Sequence, residues 1–127
     1  MFARHLVESA RLEDGALLLA IRLNWYRSLP LSCVERLEIE LDGARLDPAR
    51  TTLELDGVRT EVGSLAEQDE RWWPVLDSAI VRVDLDAPPA AGMHTVDVAI
   101  GSRIPYLVTP DGDAAVIVDH ARAEVAG

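Results

Sequence analysis

Leu6-Val7-Glu8-Ser9-Ala10-Arg11-Leu12-Glu13-Asp14-Gly15-Ala16-Leu17-Leu18-Leu19-Ala20-Ile21-Arg22-Leu23 decides the fold class. Leu17, Leu19, Ile21 and Leu23 recur at every second position, which places them on one face of an extended chain. Asp14-Gly15 precedes that run. Asp-Gly favours type I′ hairpin turns, because both positions accept positive φ. The stretch therefore reads as two antiparallel strands, residues 6–13 and 16–23, joined by a two-residue turn.

The same pattern repeats outward from there. Leu37, Ile39 and Leu41 alternate with Arg36, Glu38 and Glu40, and Leu53 and Leu55 alternate with Thr52 and Glu54. Val58 and Val62 flank Arg59 and Glu61. Val81, Val83 and Leu85 alternate with Arg82 and Asp84, and Val96, Val98 and Ile100 with Thr95 and Asp97. Each set builds one buried face and one wet face. Asp42-Gly43 separates 36–41 from 44–46, Asp56-Gly57 separates 51–55 from 58–62, and Asp111-Gly112 is a further pair of the same kind. Asp86 to Gly92 is a longer connection. Roughly nine short strands at this spacing predict an all-β, antiparallel β-sandwich. One domain over residues 1–127 is expected from the length. One short helical turn is predicted over Ser64–Asp69, with Ser64 as cap and Glu67 at the capping-box position. Ala114–Val118 is apolar on both faces and reads as a central strand. Ala121–Gly127 is expected to fray.

The net charge is −10 and the pI about 4.6. Such a surface repels phosphates, so nucleic acid and anionic membranes are disfavoured as partners. Cys33 is the single cysteine, so no disulfide forms within the chain, which fits a reducing cytoplasm. It reads as a small buried hydrophobe beside Val34. No apolar run approaches the length of a transmembrane helix. The run Ala16–Ile21 sits behind Glu8, Glu13 and Asp14 and is no signal-peptide core.

Catalytic groups are sparse. His5, His94 and His120 stand apart, with no HxH or HxxxH spacing and no CxxC beside them. His94, at a strand start, reads as a sheet-surface residue. No GxSxG elbow, P-loop or GxGxxG occurs. Asp111-Gly112-Asp113 lacks the spaced oxygen ligands of a calcium loop and reads as a turn. Asp84 and Asp86 share a strand face but read as a solvated pair in a chain with 22 acidic residues. No metal site and no catalytic residue is expected in this chain.

The aromatic residues carry the clearest signal. Asn24-Trp25-Tyr26-Arg27-Ser28-Leu29-Pro30-Leu31-Ser32 breaks the strand rules that precede it. Arg71-Trp72-Trp73-Pro74 and Arg103-Ile104-Pro105-Tyr106 repeat the combination of aromatic, arginine and proline. These three segments hold five of the six aromatic residues. Trp, Tyr and Arg dominate interface hot spots. Pro30, Pro74 and Pro105 stiffen the segments and lower the entropy cost of presenting side chains. Placed at strand ends and in loops, they predict a preformed binding surface. Core packing is the competing reading, with one of Trp72 and Trp73 buried.

The same segments resemble a known family. Asn24 to Glu35, Trp72-Trp73-Pro74-Val75-Leu76-Asp77, and Gly92-Met93-His94 through Arg103-Ile104-Pro105-Tyr106 are similar, in order, to the small β subunits of bacterial C-glycoside deglycosidases. The resemblance implies a sandwich-like fold and a larger α subunit with a sugar-isomerase-like barrel. It places a divalent metal, usually manganese, in that α subunit and no cofactor in this chain. The implied substrate is a 3-oxo C-glycoside, whose carbon–carbon bond between sugar and aglycone is cleaved by elimination. The chain then has a docking and site-shaping role. Trp25, Tyr26, Arg27, Trp72, Trp73, Arg103 and Tyr106 are the expected interface or pocket-lining residues, with Arg27 or Arg103 paired to a partner carboxylate. Two further readings stay open: a free-standing carbohydrate- or ligand-binding sandwich that stacks Trp25, Trp72 and Trp73 on sugar rings, and an autonomous enzyme using His94 or His120.

Overall fold

A computed structural model describes residues 6–25 and 27–127. Its strands are β1 (Val7–Glu13), β2 (Ala16–Ile21), β3 (Leu29–Pro30), β4 (Val34–Leu41), β5 (Ala44–Arg45), β6 (Thr51–Leu55), β7 (Val58–Glu61), β8 (Trp72–Trp73), β9 (Ala79–Asp84), β10 (Met93–Val108) and β11 (Ala114–Ala126). They form a five-stranded sheet in the order β1-β2-β9-β6-β7, a four-stranded sheet in the order β11-β10-β4-β5, and a two-stranded pair β3-β8. Every pairing is antiparallel. The chain is all-β, as the periodicity predicts.

The period-two sets supply the core. Leu19 lies opposite Val81, and Val81 lies opposite Leu53, so one apolar row crosses three strands of the larger sheet. In the other sheet Val98 faces Ile39 and Ile100 faces Leu37. These residues belong to one buried cluster, which Leu29, Leu31, Leu65, Trp73 and Ile104 complete.

The turn chemistry works as the dipeptides require. Asp14, Asp42 and Asp56 take φ near 50°, and the glycines after them take φ of 74–84°. Both central positions of these hairpins are thus left-handed, the type I′ geometry that matches strand twist. The fourth pair differs. Only Gly112 has positive φ, and its N–H closes onto the Thr109 carbonyl at 2.9 Å.

Three expectations are corrected. The helical turn is a 3-10 helix over Val62–Glu67, capped without a side chain by Glu61. Ser64 lies inside it and donates its hydroxyl to the Glu61 carbonyl at 3.0 Å, so the capping box does not form. Ala114–Val118 is no central strand: β10 takes the middle, and β11 lies at the sheet edge. Its apolar outward residues Val116 and Val118 stay 46% and 40% exposed. Residues 121–126 do not fray. Val125 is buried and Ala126 pairs with Met93, while Gly127 N–H donates to the Gly92 carbonyl at 2.7 Å.

Candidate functional site

The segment after β2 is held by a side chain that predicts nothing on its own. Asn24 is fully buried. Its Nδ2 donates to the carbonyls of Ile100 (3.3 Å) and Ile117 (3.0 Å) and to Asp119 Oδ2 (3.0 Å), and its Oδ1 accepts the Ser102 hydroxyl at 2.6 Å. A buried amide with both ends used fixes its backbone. The loop is thereby fastened to β10 and β11. Trp25 follows, half-buried against the core, and its Nε1 donates to the Tyr106 hydroxyl at 2.5 Å. The Arg27 guanidinium lies 5.8 Å from the centroid of the Tyr106 ring, a cation–π distance. Tyr26, the remaining expected residue of this segment, lies outside the described residues.

The second segment docks on the first. Leu29 pairs with Trp73, and Pro30 with Trp72. Leu31 N–H donates to the Arg71 carbonyl at 2.8 Å. The Ser28 hydroxyl accepts from Val75 N–H at 2.8 Å, and Arg22 donates to the Val75 carbonyl at 3.1 Å. Consecutive residues of a strand point to opposite sides, and that separates the two tryptophans. Trp73 is fully buried, with Nε1 donating to the Asp77 carbonyl at 2.9 Å, so it is a core residue and not an outward one. Trp72 is 57% exposed. Leu76, at the tip of the tied loop, is 80% exposed.

The third segment arrives from β10. Arg103, Ile104, Pro105 and Tyr106 lie within that strand, not in a loop beyond it. Arg103 pairs inside the chain, with Nη1 3.2 Å from Glu35 Oε2 and Nη2 3.9 Å from the buried Cys33 sulfur. Within this chain the Arg103 guanidinium thus already meets one carboxylate, that of Glu35. The pair is about 40% exposed on both sides and so is screened by water. The fold thus joins three segments far apart in sequence. Residues 24–32 touch both of the others, through Trp25 and Arg27 on one side and Leu29 and Pro30 on the other.

Other polar groups are engaged elsewhere. Among the described residues, no three His, Cys, Asp or Glu side chains gather to hold a metal ion. Asp84 pairs with Arg82, and Asp86 with Arg50. His94 is no open sheet-surface residue: Nδ1 is 2.5 Å from Asp42 Oδ2 and Nε2 is 2.6 Å from the Ala90 carbonyl. The outer face of the four-stranded sheet carries a groove of about 540 Å³ that His120 helps to line. Charges within it are largely paired. Glu38 accepts from Arg36 and Arg45, each at 2.5 Å, and Arg122 lies 2.8 Å from Asp97. The hydrogen bond from Arg36 leads in holding the Glu38 carboxyl below its usual range. None of the six expected interface residues that are described, Trp25, Arg27, Trp72, Trp73, Arg103 and Tyr106, lines this groove.

Sequence reasoning missed Asn24 and Leu76. A single asparagine has no periodic signature, and Leu76 reads as an ordinary loop leucine until its backbone is seen tied on both sides. It also missed the exposed Leu107 and Val108, which follow Tyr106 directly.

Comparison with known proteins adds an independent finding. Residues 15–106 match the family model described as C-glycoside deglycosidase beta subunit, and this span contains all three segments. A 3'-dehydrocarminate deglycosidase beta subunit from Microbacterium sp is 40% identical over 90 residues, covering 68% of this chain and 65% of the relative. A C-glycoside deglycosidase beta subunit from Microbacterium trichothecenolyticum is 34% identical over 91 residues, covering 72% and 69%. One from Arthrobacter globiformis is 29% identical over 114 residues, covering 88% and 87%. The match thus spans slightly less than two thirds of the first relative's length.

Proposed function

Because the chain belongs to the family of C-glycoside deglycosidase β subunits, we propose that it is the noncatalytic small subunit of a heteromeric carbon–carbon lyase. In this reading it docks on a larger α subunit with a sugar-isomerase-like barrel and helps to shape the substrate site. The substrate is a 3-oxo C-glycoside. The ketone acidifies the neighbouring C2 proton; as a base removes it, the C2–H electron pair forms the C1=C2 double bond, the bond from the anomeric carbon to the aglycone carbon breaks, and the aglycone carbon keeps that bond's electron pair and takes up a proton. The divalent metal expected for this chemistry, manganese, supplies Lewis acidity toward the ketone. In this reading the ligands and the base belong to the α subunit, and the complex works in the cytoplasm; among the described residues of this chain no three His, Cys, Asp or Glu side chains gather around a metal position. No helix of the described chain is long and apolar enough to cross a membrane.

One observation carries the proposal. Three distant segments converge and present Arg27, Trp72 and Tyr106 outward on a backbone tied by buried hydrogen bonds. Such preorganisation lowers the entropy cost of association. Co-expression with the metal-dependent barrel subunit is expected to yield one co-eluting species, and Trp72→Ala is expected to weaken it. Elution of this chain alone beside its partner overturns the reading. The exposed Trp72 ring also suits a free-standing sugar-binding module. Saturable calorimetric binding of glycosides to the isolated chain would favour that alternative.

A further inference from the structure

The end of the β10–β11 hairpin is built unlike the rest of the sandwich. β4 pairs with β10 only from Val96 to Ser102. Beyond that point β11 is the one strand paired with β10 among the described residues. The ladder then jumps from Ile104↔Ala115 to Val108↔Ala114, so Pro105, Tyr106 and Leu107 bulge out of it. Pro105 has no N–H for the ladder, and a bulge re-aims side chains. Pro105, Tyr106, Leu107 and Val108 are exposed in succession, so the in/out alternation is lost. Tyr106, Leu107 and Val108 are 53%, 42% and 61% exposed, and Val116 and Val118 of the same hairpin remain open as well. A two-stranded hairpin is marginal alone in water, and clustered exposed apolar side chains mark interaction surfaces.

We propose that this projecting arm, residues 105–110, together with the neighbouring exposed Val116 and Val118 of β11, is the apolar centre of the surface that the α subunit covers. This rests on the docking role argued above and names its hydrophobic contact. Two observations select that occupant. The first is charge. Residues 105–110 carry none, whereas the molecule carries −10, so the net charge opposes bringing the arms of two copies together. The second is continuity. Tyr106 belongs to the arm and is also the residue that Trp25 and Arg27 grip, so the arm extends the convergent aromatic surface. An apolar centre beside a rim of Arg27 and Arg103 has the composition of a protein interface.

The test compares Leu107→Asp, Val108→Asp and Ile80→Asp in the co-expressed complex. Ile80 is 38% exposed on β9 of the other sheet and serves as the control. The arm variants are expected to weaken association roughly tenfold or more, while Ile80→Asp does not. Thermal unfolding of each isolated variant, unchanged from wild type, assigns any loss to the interface. A complex that tolerates both arm variants, or that Ile80→Asp weakens equally, overturns the arm and leaves the docking role standing. Failure of the wild-type chain to bind the α subunit at all removes the docking role itself. Concentration-dependent dimerisation of the isolated chain, abolished by Leu107→Asp, assigns the arm to a second copy and overturns the proposed occupant.

Discussion

His94 has an acceptor at each ring nitrogen: the Asp42 carboxylate and the Ala90 carbonyl. A neutral imidazole carries one N–H and satisfies only one of them; the imidazolium satisfies both. The hydrogen bond to Asp42, followed by that to Ala90, therefore raises the His94 pKa above 6.5. The same bond, with help from Thr95 N–H, holds the Asp42 carboxyl below 3.8. The signs follow from linkage. The raised histidine contributes stability that is complete below about pH 6.5 and lost as pH rises through its folded value. The depressed aspartate contributes stability present above about pH 3.8 and lost as pH falls through its folded value. Stability from this pair is thus greatest between those limits. Asp42→Asn, tolerated at positive φ, is expected to lower the His94 titration midpoint in NMR spectra. It is also expected to flatten the loss of stability as pH rises above about 6.5 in urea denaturation. An unmoved midpoint would remove the pair as the cause.

At the scale of elements, turn chemistry sets three hairpins. Gly15 has φ of +74° with open space around it, so its role is backbone conformation and not packing. Gly15→Ala is expected to cost about 1–2 kcal/mol, the strain of an L residue in the left-handed region. Gly63 is equally uncrowded without positive φ, so Gly63→Ala is expected to be neutral or to stabilise by about 0.4–1 kcal/mol through the unfolded chain. Urea midpoints of the two variants check this contrast. The hairpins were legible because dipeptide and flanking alternation are local. The long β10–β11 hairpin was less so. Its Val116 and Val118 imitate a strand buried on both faces, when the outer face of this sheet lies open.

For the whole molecule, the paired tryptophans separate folding from association. Trp73 fills the core beside Leu29 and Leu31, whereas Trp72 faces outward. Trp73→Ala is expected to destabilise the isolated chain by about 3–5 kcal/mol. Trp72→Ala is expected to change its stability by no more than about 0.5 kcal/mol and to act on the complex instead. Thermal or urea unfolding of the two variants measures the difference. Equal losses would contradict the assigned faces.

Alternation and Asp-Gly pairs by themselves determined an antiparallel sandwich and most of its strands, because backbone pleat and turn dihedrals respond to neighbours in sequence. The motif segments likewise point to the family. Only the tertiary structure decided that Trp73 turns inward, that Arg103 meets Glu35, and that Asn24 bolts its loop to β10 and β11. The last two outcomes depend on which residues 68 to 95 positions apart come within hydrogen-bonding reach, and the first on the pairing of Trp73 with Leu29. That is a property of sheet order and register, and no local pattern encodes it.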